Sequence, residues 1–241
     1  MAEFRADGLE PSAIPGLIRD FHDACVRELG HALETIVTLR LKRDGGQWPD
    51  ALASEREKVW LAMGLEGESL PCDWLDLEVE EYPRLSGAMH ALLGTGRIKV
   101  LLSHHNCRGT HAPSALRKLL GTMASHRTTG LKVAVTCRTP EELSEWLDFT
   151  RELARCTAHG CALSMGEAAR ASRVLGPLLG CPLTYGYLTG DPVAPGQLSV
   201  RELRDFLSGP EAPDAESVGS LANPVLVAWA EERLRRNALA I

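Results

Sequence analysis

The sequence predicts an α/β fold: parallel strands covered by helices, closing as a TIM-type (β/α)8 barrel. Three observations predict it. Short apolar, β-branched runs alternate with amphipathic runs along most of the chain. The links between them are short, as strand–helix–strand units require. The length, 241 residues, suits a barrel of about 250 residues. Seven strands are recognisable rather than eight, so a doubly wound open sheet is the structural alternative. Against it, no glycine-rich fingerprint follows the first strand.

The strand runs are AEFRA (2–6), ETIVTLRL (34–41), WLDLEVE (74–80), IKVLLSHH (98–105), LKVAVTC (131–137), CALSMG (161–166) and PLTYGY (182–187). Helical runs fall at about 12–30, 54–65, 82–96 and 112–126. Three more are TPEELSEWLDFTRELARC from 139, EAARASRVLGPLLG from 167 and SVRELRDFL from 199. Thr139 and Glu142 have the spacing of a capping box. Pro, Gly, Ser and acids dominate SGPEAPDAESVGS (208–220), which reads as loop or linker. NPVLVAWAEERLRRNAL (223–239) reads as a last helix, with Asn223 as N-cap and Pro224 in the first turn. The expected organisation is a barrel over 1–208, a linker over 209–222 and a C-terminal helix over 223–241. That helix would pack on the barrel or on a partner chain.

Composition narrows the function classes. An apolar fraction of 44% is that of an ordinary globular domain. A net charge of −6 argues against a broad basic surface for nucleic acid. No apolar run approaches a membrane span, and the charged N-terminus does not suit a signal peptide. The seven cysteines are odd in number and show no CxxC spacing. They read as reduced thiols of a cytoplasmic protein, with neither a disulfide framework nor a metal site.

One residue stands out. Lys132 lies inside GLKVAVTC (130–137), an apolar run typical of a buried parallel strand. An ammonium is costly to bury, so the lysine either reaches out to water from the strand start or is held inside for chemistry. A desolvated lysine can act as a free amine towards a carbonyl. Functional groups of such barrels sit at C-terminal strand ends, and those positions are rich here. The first strand has Glu3 and Arg5, two apart and so on one face. After the second come Arg40, Lys42, Arg43, Asp44, Gly45 and Gly46; the third has Asp76 and Glu78; the fourth ends Ser103-His104-His105-Asn106. Ala134 and Thr136 share the face of Lys132, the sixth strand ends Ser164-Met165-Gly166, and Arg173 follows. Taken singly each has a plainer reading: structural ion pairs for Glu3/Arg5 and Asp76/Glu78, rim or core histidines for His104 and His111, and small core residues for Cys137, Cys161 and Cys181. Their convergence on strand ends favours a site.

These residues resemble the type I 3-dehydroquinate dehydratases, from about residue 3 to residue 207. SHHNC resembles the stretch with the family's catalytic histidine, here His105, and LKVAVTC the strand with its Schiff-base lysine, here Lys132, 27 positions later. EFRAD resembles the strand that supplies Glu3 and Arg5. TLRLKRDGG resembles the next strand and loop, which makes Arg40 a substrate ligand and Asp44 the acidic partner of the histidine, where the family usually has Glu. LSMGEAARASR brings Arg173 as the carboxylate-binding arginine, and APGQ brings Gln197. The resemblance begins at the family's second strand, which accounts for seven strands. Val193 stands where a serine is usual and Cys107 where an aromatic is usual.

The resemblance implies dehydration of 3-dehydroquinate to 3-dehydroshikimate in the shikimate pathway, with no metal and no organic cofactor. It implies a small-molecule substrate, no nucleic acid or membrane partner, and often a homodimer. A seven-strand barrel would leave two strand edges unpaired. A longer reading frame, another segment or a second subunit would then supply the missing strand. The alternative is a relative that binds a quinate-like ligand or a partner without turnover. An aldolase-like lysine barrel is a third reading, against which SHHN and APGQ argue.

Overall fold

Strand formation follows the apolar runs closely. In the computed structural model β1 is Ala2–Arg5, β2 Thr35–Thr38, β3 Trp74–Glu78 and β4 Lys99–Asn106. The structure describes residues 1–65, 72–166, 170–192, 194–209, 218 and 220–239. Val193 and most of the expected linker over 209–222 lie outside them. The chain forms two compact units, Met1–His104 and His105–Ile241, with the boundary inside β4.

In the first unit β1 to β4 pair in sequence order, all parallel. Every residue of β2 and β3 is buried, as expected for parallel strands covered on both faces. Helix α1, Ile14–Leu29, starts with Pro15 in its first turn and stops at Gly30, whose φ of 75° only glycine takes without strain. Helix α2, Arg56–Leu65, follows a 3-10 stretch over Asp50–Glu55 and packs between α1 and α3, Gly87–Gly94. The helix expected over 82–96 is shorter than that. Tyr82–Arg84 form a separate 3-10 turn, and the Ser86 hydroxyl, accepting from the Met89 amide, starts the helix afresh.

In the second unit β5, Gly130–Thr136, pairs in parallel with β6, Gly160–Met165. Around them lie α4 (Pro113–Ser125), α5 (Pro140–Cys156), α6 (Arg170–Leu178), α7 (Val200–Ser208) and α8 (Asn223–Leu239). Thr139 caps α5 as expected, accepting from the Glu142 amide at 3.2 Å. The return bond of the box differs: Glu142 accepts from the Arg138 amide at 2.6 Å. Ser199 and Glu202 form the complete box at the start of α7.

Two expectations need correction. PLTYGY is not a full strand. Only Gly186–Tyr187 form β7, paired in parallel with the two-residue β8, Leu198–Ser199. Pro182 has no amide to give; the Leu183 amide donates to the Gly160 carbonyl at 3.1 Å and the Thr184 hydroxyl to the Arg173 carbonyl at 2.8 Å. Among the described residues there are thus six longer strands and one short pair. Asn223 is not an N-cap either. Its side chain reaches α5, donating to the Ser144 carbonyl at 2.8 Å and to Asp148 at 2.9 Å, and accepting from Arg151 at 2.6 Å. These bonds, and the burial of Leu226 and Ala230 with Leu147, Val174 and Phe206, dock α8 on its neighbours.

Candidate active site

The register of the first unit places Glu3 and Arg5 of β1, Thr38 of β2, Asp76 and Glu78 of β3 and Ser103 of β4 on one face. The side chains there form a dense polar network. The Thr38 hydroxyl donates to Glu3 at 2.7 Å. Arg5 grips both oxygens of Asp7, at 2.8 and 3.1 Å, and Asp7 also accepts from the Gln47 amide at 2.8 Å. Burial alone would push the Asp7 carboxyl up, but Arg5 outweighs it and holds the carboxyl below its ordinary value.

Arg40 lies just beyond β2 and is 3% exposed. It faces Asp76 at 2.6 Å and Glu78 at 3.1 Å and donates to the Ser103 hydroxyl at 2.9 Å, while that hydroxyl donates to Asp76 at 2.5 Å. Burial works against its charge, yet the two carboxylates raise its pKa above the ordinary arginine value. Glu78 is shared with Arg56 of α2, at 2.6 Å, and Arg56 also donates to the Leu39 carbonyl at 2.8 Å. Sequence reasoning flagged the Asp76/Glu78 pair but missed Arg56, whose only local sign is an arginine at the start of an amphipathic run.

The loop after β2 is a tight one. Lys42–Asp44 make a 3-10 turn, Gly45 takes φ 83°, and a Cβ on Gly46 would come within 2.1 Å of the Arg40 carbonyl oxygen. The DGG sequence is thus a turn, and it positions Asp44 beside Arg43, 3.6 Å away. Burial first, then the nearby Glu78, push the Asp44 carboxyl up to about 6 against the pull of Arg40 and Arg43. His104 pairs with Glu80 at 2.6 Å, consistent with a rim histidine.

In the second unit Lys132 is 5% exposed, so of its two readings the inward one holds. Its register partner on β6 is Cys161, and Ala134 stands opposite Leu163. Ala134, Cys161 and Leu163 form an apolar patch against which Leu183 and Tyr185 pack. The Lys132 amine sits over the Tyr185 ring, 4.0 Å from its centroid. Sequence reasoning did not name Tyr185, because it was absorbed into an expected strand.

His105 is half-buried near the end of β4. The loop after it is fastened to the strand of Lys132: the Thr136 amide donates to the Gly109 carbonyl at 3.0 Å and its hydroxyl to the Cys107 carbonyl at 3.2 Å. Arg173, 2% exposed on α6, donates to the Pro195 carbonyl at 3.3 Å. That carbonyl also accepts from the Gly166 amide, and Gly196 takes φ 71° with no room for a Cβ against the Gly166 carbonyl, 2.4 Å away. The Gln197 side chain turns back on this loop and accepts from the Ala194 amide at 3.3 Å. Arg173 and the APGQ loop are therefore brought together. Glu3, Arg5, Arg40 and Asp44 belong to the first unit, and His105, Lys132, Arg173 and Gln197 to the second.

A lysine is buried on β5, a histidine stands near the end of β4 and an arginine is buried on α6, and the profile of the type I 3-dehydroquinases matches residues 1–211. The chain belongs to the type I 3-dehydroquinase family. A 3-dehydroquinate dehydratase of Methanothrix thermoacetophila is 31% identical over 195 residues, 81% of this chain and 76% of the relative. One from Latilactobacillus sakei is 30% identical over 75% of this chain and 73% of its own. The 3-dehydroquinate dehydratase structure from Geobacillus kaustophilus superposes with a TM-score of 0.72 at 21% identity, covering 84% of this chain and 77% of its own. The chain thus has the α/β fold of the type I 3-dehydroquinases, in keeping with the TIM-type class read from the sequence. Its family is one of hydro-lyases. Among the described residues no helix is long and apolar enough to cross a membrane.

Proposed function

We propose that this type I 3-dehydroquinase converts 3-dehydroquinate to 3-dehydroshikimate through an imine on Lys132. The observation that carries the reading is the burial of Lys132 on an apolar strand face, in a chain of this family. Burying a lysine is costly, and electrophilic chemistry is a reason to retain one.

The Lys132 amine adds to the ketone carbon, and the carbonyl oxygen leaves as water, giving a protonated imine. That cation withdraws electrons from the adjacent carbon, whose proton passes to His105. The electron pair left behind forms the new double bond as the neighbouring hydroxyl departs, taking a proton from His105. Water then cleaves the imine and frees the lysine. An imidazole suits both proton transfers near neutral pH. The resemblance gives Asp44 the orientation of that imidazole. Arg173 takes the substrate carboxylate, as a guanidinium fork can, and Glu3, Arg5, Arg40 and Gln197 take the hydroxyls and the ring.

Borohydride trapping tests this. Protein incubated with 3-dehydroquinate, reduced and digested should carry an adduct on Lys132, which Lys132→Ala loses, while the conjugated product accumulates in unreduced samples. A second reading, binding without turnover, rests on Val193, which stands where the family resemblance expects a serine that contacts substrate. An adduct without product would favour it, and a folded protein with neither would defeat the imine reading.

A further inference from the structure

Tyr185 belongs to no motif of the family resemblance, yet its ring lies against the nitrogen that would react. We propose that Tyr185 is the electrostatic partner of that nitrogen: its ring face holds the Lys132 amine in place and stabilises the positive charge of the imine formed there. The inference rests on the imine reading above and adds a specific group to it.

The geometry is that of a cation–π pair, with the amine nitrogen 4.0 Å from the ring centroid. The face of an aromatic ring is its negative region and attracts a cation within about 6 Å. Condensation keeps the lysine nitrogen in place, so the charge of the protonated imine would remain over the same ring. That charge is the electron sink when the adjacent C–H bond breaks, so stabilising it lowers the barrier to the chemical step. The surroundings enlarge the effect. Ala134, Cys161, Leu163 and Leu183 offer little to solvate a charge, and electrostatic interactions are stronger in an apolar setting.

The backbone that carries the ring is also held on both sides. On one side the Leu183 amide is bonded to the Gly160 carbonyl and the Thr184 hydroxyl to the Arg173 carbonyl. On the other side Gly186 pairs with Leu198, and a Cβ on Gly186 would come within 2.8 Å of Leu203. Anchoring the backbone at both flanks limits where the ring can lie before substrate arrives. Because it covers one side of the amine, the ketone must approach from another, so Tyr185 also limits the direction of attack.

The test varies the ring while keeping its shape. Tyr185 is replaced by Phe, by pentafluorophenylalanine and by Leu. Each protein, checked for folding by circular dichroism, is assayed with 3-dehydroquinate for kcat, KM and the rate of borohydride-trapped adduct on Lys132. Pentafluorophenylalanine preserves the ring shape and reverses the charge of its face. The Phe variant should stay within about threefold of wild type, and the pentafluoro variant should lose roughly tenfold or more in kcat and trapping rate with KM little changed. The Leu variant, whose side chain neither attracts nor repels the charge, should fall between the two. Equal rates for the Phe and pentafluoro variants would overturn the proposal and leave Tyr185 a packing residue, and this comparison stands even if the Leu variant does not fold. A wild type that gives no Lys132 adduct is a different result, and it defeats the imine reading and this inference together.

Discussion

Arg40 and Arg56 share one carboxylate: Glu78 faces Arg56 at 2.6 Å with one oxygen and Arg40 at 3.1 Å with the other, all three side chains being almost wholly buried. Two guanidinium groups that would repel each other are thus joined through a single anion. Removing that anion would leave both charges buried and under-compensated. Glu78→Leu should therefore destabilise the protein by about 3–5 kcal/mol, which urea unfolding would register as a lower midpoint. A loss below about 1 kcal/mol, the scale of a surface pair, would show that the two arginines find other partners.

Asp44 ties stability to pH in the direction opposite to most carboxylates. Its folded pKa, about 6, lies above the ordinary aspartate value of 3.8. The folded state therefore binds the proton more tightly, and stability is lost as pH rises from about 4 to about 6. Asp44→Asn should be more stable than wild type at pH 7, by on the order of 2 kcal/mol, and the advantage should vanish below about pH 4. The same substitution should lower turnover if Asp44 orients the catalytic imidazole. Urea unfolding at the two pH values decides the first point and steady-state kinetics the second.

Two glycines should respond to alanine with opposite signs. Gly46 has no room for a Cβ against the Arg40 carbonyl, whereas a Cβ on Gly16, in α1, meets nothing within 4 Å. Gly46→Ala should cost about 1–3 kcal/mol by forcing the backbone beside Arg40 to move. Gly16→Ala should add about 0.5–1 kcal/mol, as alanine does in a helix. Thermal melts of the two variants give the comparison, and a shift of the same sign in both would count against the packing of the DGG loop.

The docking of α8 depends heavily on one side chain. Asn223→Ala removes hydrogen bonds to Ser144, Asp148 and Arg151 of α5. Amides of α8 should then exchange with solvent faster while those of β5 and β6 keep their protection, at a cost of about 1–3 kcal/mol to the docked helix. Unchanged exchange in α8 would assign the docking to Leu226 and Ala230 alone.

The sequence by itself determined the alternation of strands and helices and the family to which the chain belongs. These are carried by local signals: apolar runs, two-residue alternation, caps and ordered motifs. Tertiary structure alone decided which groups meet. Lys132 could have reached for water or turned inward, and only the fold shows it buried, with the ring of Tyr185, far along the chain, against its amine. Arg56 and Glu78 read as ordinary charges until α2 brings them together. Asn223 reads as a helix cap until α5 offers it better partners. Local sequence sets the direction of a side chain along a strand or helix. Its partner is set by residues distant in the chain, because burying a charge or an amide is tolerable only where the packed fold supplies the matching group.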